Sequence, residues 1–253
     1  MAEDTQPSPG GAMGFLDHLE ELRRRLFYSA LAILAGMGLC LPYSRRIFLF
    51  LCEPINRYLP PGTSLAYTRL AEPFMNYFKV AALAGLVVAS PVVLYQFWLF
   101  VSPGLYRHER RYALTFVLLA TGCFLLGVWF GYALVFPSMC KFFLTVGQGL
   151  TMVVTMDEYF TMLTWTVLGL GGVFELPVLI LILARFGIVS ARFLWKHSGT
   201  AIFICFLVAA IITPTPDMVT MTMVALPLVG LYFLSIGVAY FVAPKPETAS
   251  PAP

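Results

Sequence analysis

The sequence predicts an all-α integral membrane protein with six transmembrane helices, both termini in the cytoplasm, and an external cap between helices 1 and 2. Of its 253 residues, 59% are hydrophobic and 11% are charged, against about 45–50% and 25% in an average soluble domain. The few charges divide the chain into six long apolar runs, and a spanning helix needs about 20 apolar residues. Alternating ten-residue segments, which are typical of membrane β-barrels, do not occur in the sequence.

The six predicted spans follow these apolar runs and cover residues 26–42, 76–99, 113–136, 159–184, 198–213 and 219–242. They form one membrane domain over 14–243, between a leader (1–13) and a tail (244–253) whose proline-rich composition predicts disorder. Three arginines precede the first span, as in a signal peptide, but no small-residue cleavage site follows and five more spans do. We therefore expect the first span to stay in the protein.

The stretch before the first span predicts an amphipathic helix. Its apolar residues stand at positions 15, 16, 19, 22 and 26, which is helical spacing with a single apolar stripe. Glu20 and Glu21 precede the arginines at 23–25 by three or four residues, so intrahelical ion pairs are expected. The pattern is typical of an interfacial helix that lies along the inner leaflet before the first span.

The basic residues predict the orientation of the chain. Ten lie on the side of the two termini and five on the opposite side, with Lys79 at a helix end. An excess of arginine and lysine marks cytoplasmic loops, so both termini are placed in the cytoplasm. The longest connection, roughly 43–73, is then external. Its Pro60-Pro61-Gly62 turn separates amphipathic pieces, which predicts a structured cap on the membrane surface.

Helices 5 and 6 are predicted to be short. Only Thr213-Pro214-Thr215-Pro216-Asp217 connects them, and the prolines stiffen this turn. The continuous apolar part of helix 5, residues 201–212, spans about 18 Å at about 1.5 Å per residue. The hydrocarbon core of a bilayer is about 30 Å thick, and such a mismatch is relieved by thinning the bilayer or by tilting the neighbouring helices.

Glu175 is the one acid inside a predicted span. It follows Gly169-Leu170-Gly171-Gly172 and precedes Pro177, so a kink in helix 4 is expected around it. An acid near the centre of a spanning helix costs about 2.5–3.5 kcal/mol on insertion scales. We therefore expect Glu175 to be protonated, paired, or facing water. A functional role and a structural polar contact to another span are both open.

Several functional classes are excluded by what the sequence lacks. The three histidines, at positions 18, 108 and 197, lie at predicted membrane edges and do not form a ligand set, and neither a metalloprotease nor a serine-hydrolase motif occurs. We expect no enzyme activity, no metal and no cofactor. A net charge of +3 is too small and too dispersed to indicate nucleic-acid binding. Five cysteines without paired spacing argue against a disulfide scaffold, and whether Cys52 and Cys140 pair is open.

Two acids on the predicted cytoplasmic side, Glu21 and Glu109, lie among arginines. Glu109 follows the helix-breaking pair Pro103-Gly104 in a basic loop. On spacing alone, each acid either neutralises the arginines next to it or accepts hydrogen bonds from an incoming guanidinium.

Taken together and in order, these segments resemble the TatC family, the multispanning receptor of twin-arginine protein translocation. The resemblance covers about residues 14–242. It rests on His-Leu-Glu-Glu-Leu-Arg-x-Arg-Leu at 18–26, Pro54, Ser90-Pro91-x-x-x-Tyr95-Gln96-x-Trp98, Phe100, Pro103-Gly104-Leu105-Tyr106-x-x-Glu109-Arg110-Arg111, Phe136-Pro137, Phe174-Glu175-Leu176-Pro177 and Thr213-Pro214-x-Pro216-Asp217. The sequence departs from the family at Phe233, near which the family often has an acid.

The resemblance implies a core receptor subunit in the bacterial cytoplasmic membrane. Such a subunit binds the twin-arginine signal peptides of folded precursors, assembles with TatA- and TatB-type single-span proteins and with copies of itself, and works by the proton-motive force. The residues it implies for signal-peptide binding are Glu21, Arg23, Phe100, Leu105, Tyr106 and Glu109. It implies an intramembrane role for Phe174, Glu175 and Pro177, and places Pro54 and Asp217 in the external cap and at partner contacts. The alternative is a proton-coupled small-solute transporter that uses Glu175.

Overall fold

The computed structural model describes residues 15–59, 65–101, 113–147, 153–185, 187–213 and 217–242. The predicted leader and tail lie outside these ranges. Within them the regular secondary structure is helical, apart from one isolated bridge. The α-helices in chain order are α1 (Phe15–Cys40), α2 (Ser44–Leu51), α3 (Glu53–Asn56), α4 (Glu72–Val101), α5 (Ala113–Phe130), α6 (Phe136–Val146), α7 (Met156–Val173), α8 (Leu176–Arg185), α9 (Ala191–Lys196), α10 (Ser198–Ile212) and α11 (Met218–Val242).

The helices confirm the predicted all-α membrane fold. Five helical segments in the described part of the chain are long and apolar enough to cross a bilayer: His18–Asn56, Glu72–Val101, Leu114–Val146, Met156–Arg185 and Met218–Phe241. The fifth predicted span corresponds to α10, which has 15 residues and is short, as expected. The count of six spans and the orientation of the termini stay predictions.

The prediction that helix 6 is short is wrong. Helix α11 has 25 residues and is therefore about 38 Å long, enough to cross the hydrocarbon core. Its apolar run contains no charged side chain, so nothing ends the helix early. Pro227 lies inside it, and a proline is tolerated within a membrane helix because neighbouring groups satisfy the freed carbonyl.

The first helix begins earlier than the first predicted span. Helix α1 runs without interruption for 26 residues from Phe15, so the amphipathic stretch forms its first turns and is not a separate interfacial helix. No glycine or proline occurs in α1 before Gly36, and nothing in the sequence bends it there. The expected intrahelical ion pair forms between Arg25 and Glu21, whose Nη2 and Oε1 atoms are 3.2 Å apart.

Helix α1 packs against α4 at a crossing made of glycines. A Cβ atom built on Gly36 would lie 2.5 Å from the Gly85 carbonyl oxygen, and one built on Gly85 would lie 2.4 Å from the Met37 backbone nitrogen. The two backbones are therefore in direct contact. Small residues at helix crossings in membranes permit this approach, and packing then replaces the hydrophobic force that lipid cannot provide.

The predicted cap between the first two spans is folded in its described part, while its Pro60-Pro61-Gly62 turn lies outside the described residues. It contains a short 3₁₀ turn at Leu41–Tyr43, then α2 and α3. Its buried side chains join a core cluster with α6 and α7 that includes Phe48, Leu51, Cys52, Ile55, Phe136, Cys140, Tyr159, Phe160 and Leu163. The Tyr159 hydroxyl donates to the Leu51 carbonyl at 2.6 Å, which ties the cap to α7. Pro54 is buried in α3, and Cys52 and Cys140 are free thiols.

A second attachment of the cap depends on Glu72, for which the sequence predicts no role. Glu72 is the first residue of α4 and is 7% exposed. One carboxylate oxygen accepts from the Thr68 N–H at 2.8 Å, the Thr68 hydroxyl at 3.0 Å and the Arg69 N–H at 3.2 Å. The other oxygen accepts from the Asp157 N–H at 3.1 Å. One carboxylate thus joins the end of the cap to the start of α7.

Backbone and ionic contacts reinforce this junction. The Ala66 N–H donates to the Val154 carbonyl and the Met156 N–H donates to the Ala66 carbonyl, both at 2.9 Å. Lys79 on α4 forms an ion pair with Asp157. The segment before α4 and the segment before α7 therefore hold each other in a fixed register.

The third predicted span is longer than expected. It was predicted to end at 136, but the helix continues through a π-helical turn at Gly131–Val135 into α6, which ends at Val146. Lys141 does not end it, because a lysine on an exposed helix face keeps its ammonium group in water. The extension packs its inner face, which includes Met139 and Cys140, in the core.

Candidate functional sites

The first candidate site lies where the start of α1 meets the end of α4. We call it the α1/α4 polar site and define it by His18, Glu21, Arg25, Gln96 and Phe100. The His18 ring stacks on the Phe100 ring, with centroids 4.5 Å apart and an interplanar angle of 23°. The structure therefore brings the amino-terminal motif and Phe100 together, although they are far apart in sequence.

Glu21 and Arg25 form the charged part of this site. The side chain of Glu21 is 12% exposed and that of Arg25 is 20% exposed. The Arg25 guanidinium donates to Glu21 at 3.2 Å from Nη2 and to the Gln96 amide oxygen at 3.3 Å from Nη1. An acid this poorly solvated requires a cationic or hydrogen-bonding partner. The site therefore already has the chemistry of guanidinium recognition.

The other residues predicted for signal-peptide binding have different positions. Arg23 is exposed, on a different side of α1 from the face that meets α4. Leu105, Tyr106 and Glu109 lie outside the described residues, so their positions remain predictions. Arg25 and Gln96 were not among the predicted site residues. Their signals were the four-residue spacing from Glu21 and the place of Gln96 in the Tyr95-Gln96-x-Trp98 motif.

The second candidate site is a cavity beside Glu175, which we call the Glu175 cavity. It measures about 230 Å³ and lies between α4, α5 and α8. Apart from Glu175 its lining is apolar or aromatic: Leu94, Phe97, Trp98, Phe116, Val117, Ala120, Val178, Leu179 and Ile182. Trp98 is 3% exposed and stacks on Phe116, with centroids 4.6 Å apart.

Two polar atoms at this cavity lack hydrogen-bond partners in the described part of the chain. They are Glu175 Oε1 and Trp98 Nε1, and both are buried. Buried polar groups in proteins are normally hydrogen-bonded, and this holds more strictly inside a membrane. Among the described residues, the cavity is therefore lined by one side chain with an unpaired acceptor and one with an unpaired donor.

The kink predicted around Glu175 is confirmed as a break between two helices. Helix α7 ends at Val173 and α8 begins at Leu176. The Glu175 N–H donates to the Gly172 carbonyl at 3.2 Å, a tight turn in place of the regular helical bond. Phe174 is buried against Phe130, with ring centroids 5.5 Å apart, and Pro177 is buried as well. Both residues fix the break that turns Glu175 towards the cavity.

The two residues assigned to the external cap and partner contacts have local structural roles. Asp217 caps the start of α11, since its carboxylate accepts from the Thr220 N–H at 2.7 Å and from the Thr220 hydroxyl. This is the usual N-cap arrangement. Pro54 is buried in the cap. Contact with a partner is a further prediction for both.

Comparisons with known proteins agree with this architecture. The family model described as Sec-independent protein translocase protein (TatC) matches residues 17–227. The TatC proteins of Koribacter versatilis and Desulforapulum autotrophicum are 45% and 41% identical, over 92% and 93% of this chain and 87% and 86% of their own. A crystal structure of the twin-arginine translocase receptor TatC in DDM is 35% identical, with a TM-score of 0.80 over 88% of this chain and 99% of that one. The chain therefore belongs to the TatC family and is a multi-pass component of the twin-arginine protein translocase in the bacterial inner membrane.

Proposed function

We propose that this chain is the core receptor of its translocase and binds the twin-arginine signal peptides of folded precursors at its cytoplasmic face. Glu21 and Glu109 accept the two guanidinium groups, and Phe100, Leu105 and Tyr106 surround them. Arg23, on another side of α1, contacts a different part of the peptide. The receptor then assembles with TatA- and TatB-type subunits, and with further copies of itself, for export driven by the proton-motive force.

The observation that supports this proposal is the Glu21 carboxylate. It is 12% exposed, holds a guanidinium at 3.2 Å and lies beside the stacked rings of His18 and Phe100. A guanidinium can donate two parallel hydrogen bonds to a carboxylate and can stack on an aromatic face. A lysine ammonium offers neither geometry. The site thus suits a peptide in which arginine is not replaceable by lysine.

Replacing the two acids tests the proposal. In Glu21→Gln and Glu109→Gln, we expect crosslinking to a twin-arginine signal peptide to fall about 10- to 100-fold, because each variant loses a hydrogen bond between charged groups. Membrane insertion should be unchanged. The measurement is site-specific photocrosslinking to a precursor in membranes that contain the full-length protein.

Glu20→Gln is the matched control, since Glu20 is the neighbouring acid on the same helix and is exposed. It should crosslink like the unaltered protein. Undiminished crosslinking in both Glu21→Gln and Glu109→Gln would contradict the proposal. A precursor with two lysines should behave in the unaltered receptor as the twin-arginine precursor does in the variants.

We further propose that Glu175 faces a partner or water and not lipid alone. Its buried Oε1 atom and the Trp98 indole nitrogen have no partners in the described part of the chain, and a partner subunit with a polar side chain inside the membrane would satisfy both. In Glu175→Gln we expect normal insertion and signal-peptide binding but transport reduced about tenfold or more.

Transport of a fluorescent folded precursor into membrane vesicles measures this effect. Glu158→Gln is the control, because Glu158 is an exposed acid at the start of the same helical segment. Normal transport by Glu175→Leu would show that the acid is merely tolerated.

A further inference from the structure

The guanidinium of Arg25 lies between two acceptors on different helices. Its Nη2 atom is 3.2 Å from Glu21 Oε1 on α1, and its Nη1 atom is 3.3 Å from Gln96 Oε1 on α4. Its Nε atom is buried and has no hydrogen-bond partner among the described residues. Arg25 therefore donates one hydrogen bond to each of two acceptors. The edge of the guanidinium formed by Nε and Nη2, which could hold a carboxylate by two parallel hydrogen bonds, does not do so here.

Only one of the three consecutive arginines has this position. Arg23 and Arg24 are exposed, whereas Arg25 is partly buried. Glu21, Arg25 and Ser29 are spaced four residues apart and share the face of α1 that meets α4. The Ser29 hydroxyl donates to the Arg25 carbonyl at 2.9 Å. The helix therefore directs one arginine towards Glu21 and two away from it.

The Arg25–Glu21 contact is weak for a guanidinium–carboxylate pair. Charge-assisted N–H···O bonds in good geometry measure about 2.7–2.9 Å and are often formed in pairs. The contact here is single and measures 3.2 Å. An incoming arginine that presents both N–H groups of its fork gains more from the same carboxylate than Arg25 does.

We propose that Arg25 is an internal placeholder that occupies the Glu21 carboxylate in the empty receptor and is displaced from it by an arginine of the signal peptide. The inference rests on the proposed binding of that peptide at Glu21. Before binding, Arg25 prevents a poorly solvated carboxylate from standing unpaired. On binding, one guanidinium replaces another, and Gln96 retains the displaced side chain. A lysine makes only a single-point contact, as Arg25 does, and therefore gains nothing over an arginine that is already held beside the carboxylate.

The placeholder reduces affinity for the peptide, and its removal should therefore tighten binding. We expect Arg25→Gln to bind a synthetic twin-arginine signal peptide about two- to fivefold more tightly, the range that corresponds to one partly exposed ion pair. The measurement is fluorescence anisotropy of the labelled peptide with the full-length protein in lipid nanodiscs at physiological salt. A twin-lysine peptide should gain by the same factor, because removal of an internal competitor raises the affinity of every ligand of that carboxylate equally.

Arg24→Gln is the matched control, because it removes the same charge from the next, exposed position. Equal tightening in Arg24→Gln and Arg25→Gln would overturn the proposal, since it would reflect general charge repulsion. Weaker binding in Arg25→Gln would also overturn it, since Arg25 would then support the peptide.

Two further variants complete the test. Arg25→Lys retains the positive charge beside the membrane and serves if Arg25→Gln does not fold; it should tighten binding to a smaller extent, and unchanged or weaker binding would count against the placeholder. Glu21→Gln separates the two proposals. If it leaves binding unchanged, peptide binding at Glu21 itself is wrong. If it weakens binding while the Arg25 variants fail to tighten it, only the placeholder is wrong.

Discussion

An alanine in place of Gly36 should separate α1 from α4. Its Cβ would lie 2.5 Å from the Gly85 carbonyl oxygen and 3.2 Å from the carbonyl carbon. These are backbone atoms, so no rotamer change relieves the overlap and the helices must move apart. We expect Gly36→Ala to lower the free energy of unfolding by about 1–3 kcal/mol. Thermal unfolding of the purified protein in detergent measures the loss.

Gly38 is the matched control on the same helix. A Cβ at Gly38 meets no atom within 4 Å, so Gly38→Ala should be neutral or should stabilise the helix by up to about 1 kcal/mol. Equal destabilisation by both variants would mean that helix flexibility, and not the crossing, is what the glycines provide. Because α1 and α4 also carry Glu21 and Gln96, Gly36→Ala should weaken signal-peptide binding as well.

Hydropathy was sufficient to locate most of the helical segments, because a charge inside the bilayer is expensive. It could not locate the helix ends, which depend on packing and capping. Helix α1 begins before the predicted span because residues 19–22 are good helix formers and His18 stacks on Phe100 of α4. Helix α6 extends past the predicted end because its inner face, with Phe136 and Cys140, is covered by the cap. Helix α11 is long although only the short segment Thr213–Asp217 connects it to α10, since a short connection limits the separation of two helices but not their length.

In the candidate sites, too, local sequence patterns predict some features, while others depend on how the helices pack. The sequence motifs identified Glu21, Phe100 and Glu175, and the break at Glu175 followed from the glycines and proline around it. The contact between Arg25 and Gln96 joins residues 71 positions apart, and no local pattern predicts which of three arginines faces α4. That choice depends on the rotation of α1 against α4, which the crossing at Gly36 and Gly85 determines.

The junction at Glu72 was invisible in the sequence for a similar reason. An acid at the first residue of a helix is ordinary, because it interacts favourably with the helix dipole. What distinguishes Glu72 is that Asp157, 85 positions away, donates its backbone N–H to the same carboxylate. The contribution of Glu72 to stability therefore depends on the tertiary fold of the cap.

Replacement of Glu72 by glutamine should release the cap from α7. The carboxylate has two acceptor oxygens, one facing Thr68 and Arg69 and the other facing Asp157. A glutamine amide has only one such oxygen, and its NH₂ group must then face a backbone N–H. Whichever way the amide turns, at least one backbone N–H that donated to the carboxylate loses its acceptor and faces an NH₂ group, which costs free energy. We expect the melting temperature of Glu72→Gln to fall by several degrees.

Glu53→Gln is the control for this variant, because Glu53 is an acid of the same cap that pairs only at the surface. Its contact with Arg57 measures 2.6 Å, yet the two side chains are 50% and 68% exposed, and exposed ion pairs contribute little. Its melting temperature should change by at most about 2 °C. An equal change in both variants would show that the cap depends on its net charge and not on this junction.

A crosslink can show where the lost stability of Glu72→Gln originates. Ala66 and Thr155 are bridge partners between the cap and the segment before α7, and neighbouring strands lie about 4.8 Å apart, within the range for a disulfide. Cysteines at both positions should form a bond that restores the melting temperature of Glu72→Gln under oxidising conditions but not under reducing ones. If the bond forms and the protein remains as unstable as Glu72→Gln alone, the carboxylate stabilises α4 itself and not the attachment of the cap to α7.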